Sequence, residues 1–290
     1  MRRKKTEKKQ FYIGDIFRVI GLIIAFSVLL YPTVSNYLYE KNGSKVISAY
    51  DENAVRLSES DKREMLEAAR QYNEELLGNI ELLDPFSSIK KEVDERYQSL
   101  LNVNGSGMIG YIRIPKINAE LPIYHGTEEE TLLIGVGHLE NTSLPAGGES
   151  THAVLSAHCG LPSARLFTDL NLLREGNIFR IHVLDETLTY QVYEIETVDP
   201  DDSSSLFIQE GEDLVTLITC TPYGKNTHRL LVHGRRIEEN EDTLIEEPKI
   251  EKKMTWEDYT KIAAFAITAI FILLLLGSAI TALIRRKNEK

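Results

Sequence analysis

From Met108 onward the chain is divided into short apolar and β-branched runs closed by turn residues, and this rhythm restricts its fold more than any other feature. The runs are Gly110–Ile114, Glu120–Tyr124, Ala153–Ala157, Ile178–Val183, Leu188–Ile195, Val215–Thr219 and Leu230–His233. Leu188–Ile195 includes the period-2 alternation of a half-exposed strand, and Asp185-Glu186 suits a turn before it. Strands this short and this evenly spaced predict a mainly β domain, a closed or nearly closed barrel of about 130 residues. One helix, Ala164–Leu173, is expected to interrupt them.

Upstream, Ser58 and Asp61 have the spacing of a helix N-cap with an acidic third position. Met65, Leu66, Ala69, Tyr72, Leu76 and Leu77 follow at helical spacing, and Gly78 supplies a stop. Ile89, Val93, Tyr97 and Leu100 form a second short stripe, with the irregular segment Leu82-Leu83-Asp84-Pro85-Phe86 between the two. Two short amphipathic helices cannot bury their own apolar faces, so both are expected to dock on the barrel.

The ends differ from the middle. Ile262–Ile284 is uncharged and apolar apart from Thr268, Ser278 and Thr281. At about 1.5 Å per residue it crosses a bilayer core of roughly 30 Å. Arg285, Arg286 and Lys287 follow it, which places the C-terminus in the cytoplasm. The N-terminus carries Arg2, Arg3, Lys4, Lys5, Lys8 and Lys9 before a shorter apolar run, Val19–Leu30. That run reads as a signal or an uncleaved anchor, and no clear A-x-A cleavage site follows. The expected organisation is therefore 1–38 basic N-terminus and hydrophobic segment, 39–107 helical extension, 108–237 barrel, 238–261 acidic stalk, and 262–290 membrane helix with a basic tail. The barrel is then extracellular. Formal net charge is −11 although both ends are basic, so the exported part is acidic and a poor nucleic-acid binder. The charge also serves simple solubility.

Chemistry points to one stretch, Thr216-Leu-Ile-Thr-Cys220-Thr-Pro-Tyr-Gly-Lys-Asn-Thr-His-Arg229. A hairpin centred near Gly224 makes Cys220 and Arg229 cross-strand neighbours, with Cβ atoms roughly 5 Å apart. A fixed cation beside a thiol favours the thiolate. Two cysteines, Cys159 and Cys220, in an exported chain also fit a disulfide. Of seven histidines, His158 is the best acid/base candidate because it ends an apolar run at a turn. His228 should face away from the side Arg229 faces, His182 and His233 read as mid-strand and structural, and His125 and His138 read as loop residues. No zinc pattern, other metal pattern or phosphate-cradling loop is present, and no cofactor is expected.

The Thr216–Arg229 stretch resembles the signature of sortases, the cysteine transpeptidases of Gram-positive cell surfaces. Ser156-Ala-His158, Gly160-Leu-Pro-Ser-Ala164 and Leu166-Phe-Thr-Asp-Leu170 are similar to the histidine segment of the class C, pilin-polymerising branch. So are Gly110–Ile117, Leu121–Thr127 and Gly135–Glu140, and the likeness runs from about Leu83 to Ile237. The resemblance implies an eight-stranded barrel with short helices. It implies Cys220 as nucleophile, His158 as acid/base and Arg229 as charge stabiliser. Asp84-Pro85-Phe86 resembles the branch's lid, with Phe86 in an apolar groove and Asp84 on Arg229 or near the cysteine. The partners implied are pilin subunits with LPXTG-like signals, cut between Thr and Gly and joined to a lysine amine. Cys159 departs from the pattern, and as His158's neighbour it should aim away from Cys220, against a Cys159–Cys220 disulfide. Anchoring of proteins to the cell wall is the alternative within the family. A non-catalytic, membrane-tethered β-domain is the alternative outside it.

Overall fold

The computed structural model describes residues 13–76, 82–87 and 94–238, together with 263, 264, 266 and 267. The chain divides into two compact units, Leu38–Glu251 and a second made of Met1–Tyr37 with Lys252–Lys290. The first contains the closed eight-stranded barrel. In chain order its strands are β1 (Met108–Ile114), β2 (Ala119–His125), β3 (Val136–His138), β4 (Thr151–Ser156), β5 (Ile178–Val183), β6 (Glu186–Val198), β7 (Asp213–Thr221) and β8 (His228–Arg236). Their order around the barrel is β1-β2-β3-β4-β7-β8-β6-β5. β2–β3 and β4–β7 are parallel, and the other pairs are antiparallel.

Each apolar run read from the sequence is a strand. β3 has only three residues, too few for any periodicity to mark. The β5–β6 turn sits on Leu184 and Asp185, one residue before the expected position, because Val183 pairs with Glu186. The helix expected over Ala164–Leu173 does not form: only a 3-10 turn, Leu170–Leu172, appears there. Leu166 has φ of 41°, outside any right-handed helix, and the Phe167 N–H donates to the His158 carbonyl instead of to a helical partner. Ala164, Leu166, Phe167 and Leu170 are all buried in the main core. Burial on every side, rather than along one stripe, overrides helical propensity here.

The helical extension docks as expected. Helices α1 (Ile13–Arg56), α2 (Glu59–Glu75) and α3 (Glu95–Ser99) precede the barrel, and α4 (Glu129–Ile134) lies between β2 and β3. Ser58 and Asp61 form a reciprocal capping box at the start of α2. Leu66, Ala69 and Tyr72 of α2 and Tyr97 of α3 join the barrel core. Asn73, 2% exposed, donates to the Leu144 carbonyl at 3.0 Å and accepts from its N–H at 2.7 Å. Within the same unit α1 contributes Tyr50, whose hydroxyl donates to the Ile109 carbonyl and accepts from the Leu184 N–H, both at 2.8 Å. Gly78, Ile89 and Val93 lie outside the described residues.

In the second unit the described part is Ile13–Tyr37 of α1, which runs through Pro32, and the four residues near the C-terminus. Among the described residues no helix is long and apolar enough to cross a membrane. The run Ile262–Ile284, nearly all of the acidic stalk and both basic tails lie outside the described residues or almost wholly so.

Candidate active site

β7 and β8 bring the signature together. Pro222, Gly224 and Asn226 turn the chain, Gly224 and Asn226 with φ of 74° and 57°, a region glycine and asparagine tolerate. The ladder then pairs Cys220 directly with Arg229. Both are nearly buried, 7% and 8% exposed. His158 lies two residues beyond β4, whose parallel ladder with β7 sets Ser156 beside Ile218. Past the strand end the chain stays on β7, the Ala157 N–H donating to the Ile218 carbonyl at 3.1 Å and the Thr219 hydroxyl to the Ala157 carbonyl at 2.7 Å, which carries His158 to the Cys220 end of β7.

Asp84 closes the set. Its carboxylate takes two parallel hydrogen bonds from Arg229, Nε to Oδ1 at 2.7 Å and Nη2 to Oδ2 at 2.6 Å. Arg229 Nη1 also donates to the His228 carbonyl at 3.1 Å, which fixes the plane of the guanidinium. Pro85 is buried in a turn closed by Ser87 N–H to Asp84 O at 3.0 Å. That turn sets Phe86 with its ring 5.1 Å from Arg229 Cζ and 5.6 Å from the His158 ring. Beneath Phe86 lies a separate apolar cluster of Leu139, Val154, Leu206, Ile218 and Leu231. Val154, Ile218 and Leu231 share the outward face of their strands with His158, Cys220 and Arg229, since side chains alternate along a strand. They form an apolar surface leading to the cysteine, and Phe86 packs on it.

Electrostatics correct one expectation. Arg229 does pull the Cys220 thiol toward ionisation, but burial pushes its pKa up more strongly and Asp84 pushes the same way. With Asp84 on Arg229 the thiol stays protonated. Burial likewise lowers the pKa of His158, which Glu129 partly offsets. The covered site therefore holds a neutral thiol beside a neutral imidazole.

The remaining candidates separate cleanly. Both cysteines are free, which sets aside the disulfide reading. Cys159 turns toward the Thr168 carbonyl, 4.0 Å from its sulfur, and burial pushes its pKa up to about 11. His125 and His138 are not loop residues: they pair across β2 and β3 and pack around the Tyr97 ring. His182 stacks on Tyr111, centroids 4.5 Å apart, and His228 is exposed. Among the described residues no group of three or more His, Cys, Asp or Glu side chains could hold a metal ion. A cavity of about 590 Å³, lined by Arg70, Glu186, Asp213 and Arg236 among others, lies at the opposite end of β7 from the cysteine. Sequence reasoning missed Glu129 and the apolar surface under Phe86. That surface was marked by Ile218 and Leu231, two positions from Cys220 and Arg229 in their strands, but only pairing with β4 brings Val154 onto it.

A closed barrel that gathers cysteine, arginine and histidine at one end, with Asp84 and Phe86 packed against them, defines a cysteine-centred site on a β-barrel scaffold. A model of the sortase domain matches residues 112–237. Streptococcus pneumoniae sortase C is 45% identical, with a TM-score of 0.62 over 67% of this chain and 97% of that one. Streptococcus agalactiae sortase C1 is 46% identical, with a TM-score of 0.63 over 68% of this chain and 96% of that one. Sortase D of Bacillus subtilis (strain 168) is 34% identical over 131 residues, 44% of this chain and 63% of that protein's length. The chain belongs to the sortase family, and the sortase C structures it resembles carry the same barrel.

Proposed function

We propose that this chain is a membrane-anchored cysteine transpeptidase that joins pilin subunits. The single observation that carries the reading is the Cys220–Arg229 pair held under the Asp84 fork, beside His158. Displacing Phe86 opens the apolar groove to an LPXTG-like segment, and withdrawing Asp84 leaves Arg229 uncompensated. The Cys220 pKa then falls, and the proton passes to His158. The thiolate adds to the carbonyl carbon of the signal's Thr, with Arg229 donating to the developing oxyanion. The Thr–Gly C–N bond breaks as His158 returns its proton to the leaving amine. A lysine ε-amine of the next subunit attacks the thioester, the thiol departs, and an isopeptide bond remains. No step calls for a metal or organic cofactor. The sortase C neighbours support the pilin reading over cell-wall anchoring.

The anchor reading rests on the apolar run Ile262–Ile284 with its basic flank, and on α1, which exposes Ile23, Ile24, Val28, Tyr31, Val34 and Tyr37. The catalytic unit then faces outward and the C-terminus lies in the cytoplasm. The test is mass spectrometry of the full-length chain incubated with an LPXTG-type peptide. We expect an adduct retaining the peptide through Thr, larger in yield for Phe86→Ala and absent for Cys220→Ala. Absence of any adduct in both the native chain and Phe86→Ala would overturn the reading.

A further inference from the structure

Beyond the apolar surface under Phe86, on the same outward face, four side chains join in a line. His152 Nδ1 contacts the Phe207 carbonyl at 3.0 Å, and His152 Nε2 contacts Thr216 Oγ1 at 2.7 Å. Thr216 Oγ1 contacts His233 Nδ1 at 2.7 Å, and His233 Nε2 contacts Glu196 Oε1 at 3.1 Å. His152, Thr216 and His233 are all at least 98% buried, so water cannot substitute for a missing partner.

Each of these four contacts needs one proton between its atoms. A neutral His152, the Thr216 hydroxyl and a neutral His233 supply only three. The Phe207 carbonyl can only accept, so His152 donates through Nδ1 and its Nε2 accepts from Thr216. Thr216 then accepts from His233 Nδ1, and His233 Nε2 faces the Glu196 carboxylate. A fourth proton must lie between those two, and on the imidazole it makes a buried imidazolium paired with a carboxylate at 3.1 Å.

We propose that His152, Thr216, His233 and Glu196 form a hydrogen-bonded chain carrying one extra proton, on His233, and that this chain positions the loop 199–212 as a wall of the peptide groove. The loop reaches the groove through Leu206, which packs with Val154, Ile218 and Leu231 under Phe86. The next residue, Phe207, gives its carbonyl to His152, so the chain fixes the backbone beside that wall. The groups facing His233 from other elements are Glu196 and Glu194 of β6, His152 of β4 and the Tyr193 ring at 6.0 Å. Arg235 of its own strand is engaged by Tyr193 and Glu212. Burial and the neighbouring His233 both push the His152 pKa down, to about 4, in keeping with His152 as the neutral member.

The groove role rests on the function proposed above, whereas the proton count does not. The test is nitrogen-15 NMR of histidine-labelled full-length protein, with peptide kinetics beside it. We expect His233 to show two ring nitrogens of near-equal shift at neutral pH, as an imidazolium, and His152 to be neutral with its proton on Nδ1. In Glu196→Gln the amide can donate to His233 Nε2, so His233 becomes neutral while the chain stays complete. Glu196→Ala breaks the last contact, and KM for the peptide rises about three- to tenfold over the native value, the factor one lost hydrogen bond supplies. In Glu196→Gln, which keeps the contact, KM stays near the native value. A neutral His233 in the native protein overturns the proton count. An imidazolium in the native protein with the same KM in Glu196→Ala overturns the positioning role. A native chain that shows the imidazolium yet forms no peptide adduct removes the groove reading, and the positioning role with it.

Discussion

At the residue scale the unusual object is an arginine shared between two anionic demands. Asp84 occupies the guanidinium fork that a developing oxyanion would use, and its charge works against the neighbouring thiolate. Asp84→Asn removes that charge, so the Cys220 pKa falls. We expect iodoacetamide labelling of Cys220 to reach half its maximal rate at lower pH, each unit multiplying the thiolate at neutral pH about tenfold. Phe86→Ala raises labelling through access instead, and leaves the midpoint less affected. Equal rates and midpoints in all three proteins would remove the covering role of the segment. Arg229→Ala costs the oxyanion its donor and should lower transpeptidation about 10²- to 10³-fold. His152 yields a pH effect on stability. Its pKa drops from an ordinary value of about 6.5 in the unfolded chain to about 4 in the fold. The unfolded chain therefore gains a proton first as pH falls, and stability declines across that window by up to about 3 kcal/mol. Urea unfolding at pH 7 and pH 4.5 measures it, and His152→Gln should flatten that part of the slope.

At the element scale, α2 is tied down at both ends of its contact surface. Ser58→Ala removes half of its capping box and should cost about 1 kcal/mol. Asn73→Ala leaves the buried Leu144 N–H unpaired, while the Leu144 carbonyl keeps its bond from the Ala146 N–H at 2.7 Å, and should cost about 1–3 kcal/mol, visible as a lower urea midpoint with an unchanged slope. The elements also show which signals are local. The capping box, the Met65–Tyr72 stripe and the β7–β8 hairpin all involve partners within a few residues, and each is readable without a fold. The helix of residues 39–56 was harder to see. Its packing positions Tyr39, Ile47, Tyr50 and Ala54 do follow helical spacing, but polar residues and Gly43 dilute the pattern. The segment Ala164–Leu173 misled for the opposite reason, being apolar on all sides and filling the core as turns.

At the scale of the whole molecule, the proposed membrane anchor makes a prediction separate from those of the site. We expect full-length protein to sediment with membranes, and external protease to remove the unit Leu38–Glu251 from intact cells stripped of cell wall. A soluble full-length protein, or one protected from external protease, would reject that placement. What the sequence by itself determined was local: strand alternation, the helix cap, and the Cys220–Arg229 pairing across one turn. The resemblance carried by its motifs added the roles of His158 and Asp84-Pro85-Phe86. Only the tertiary structure decided that the parallel β4–β7 ladder carries His158 to the Cys220 end of β7, and that Asp84 takes Arg229 across 145 positions. It alone set the sign of the thiol's pKa shift and joined His152, Thr216, His233 and Glu196. The reason is physical. Hydrogen bonding and alternation act between near neighbours, whereas burial and the meeting of distant charges exist only once the barrel has closed.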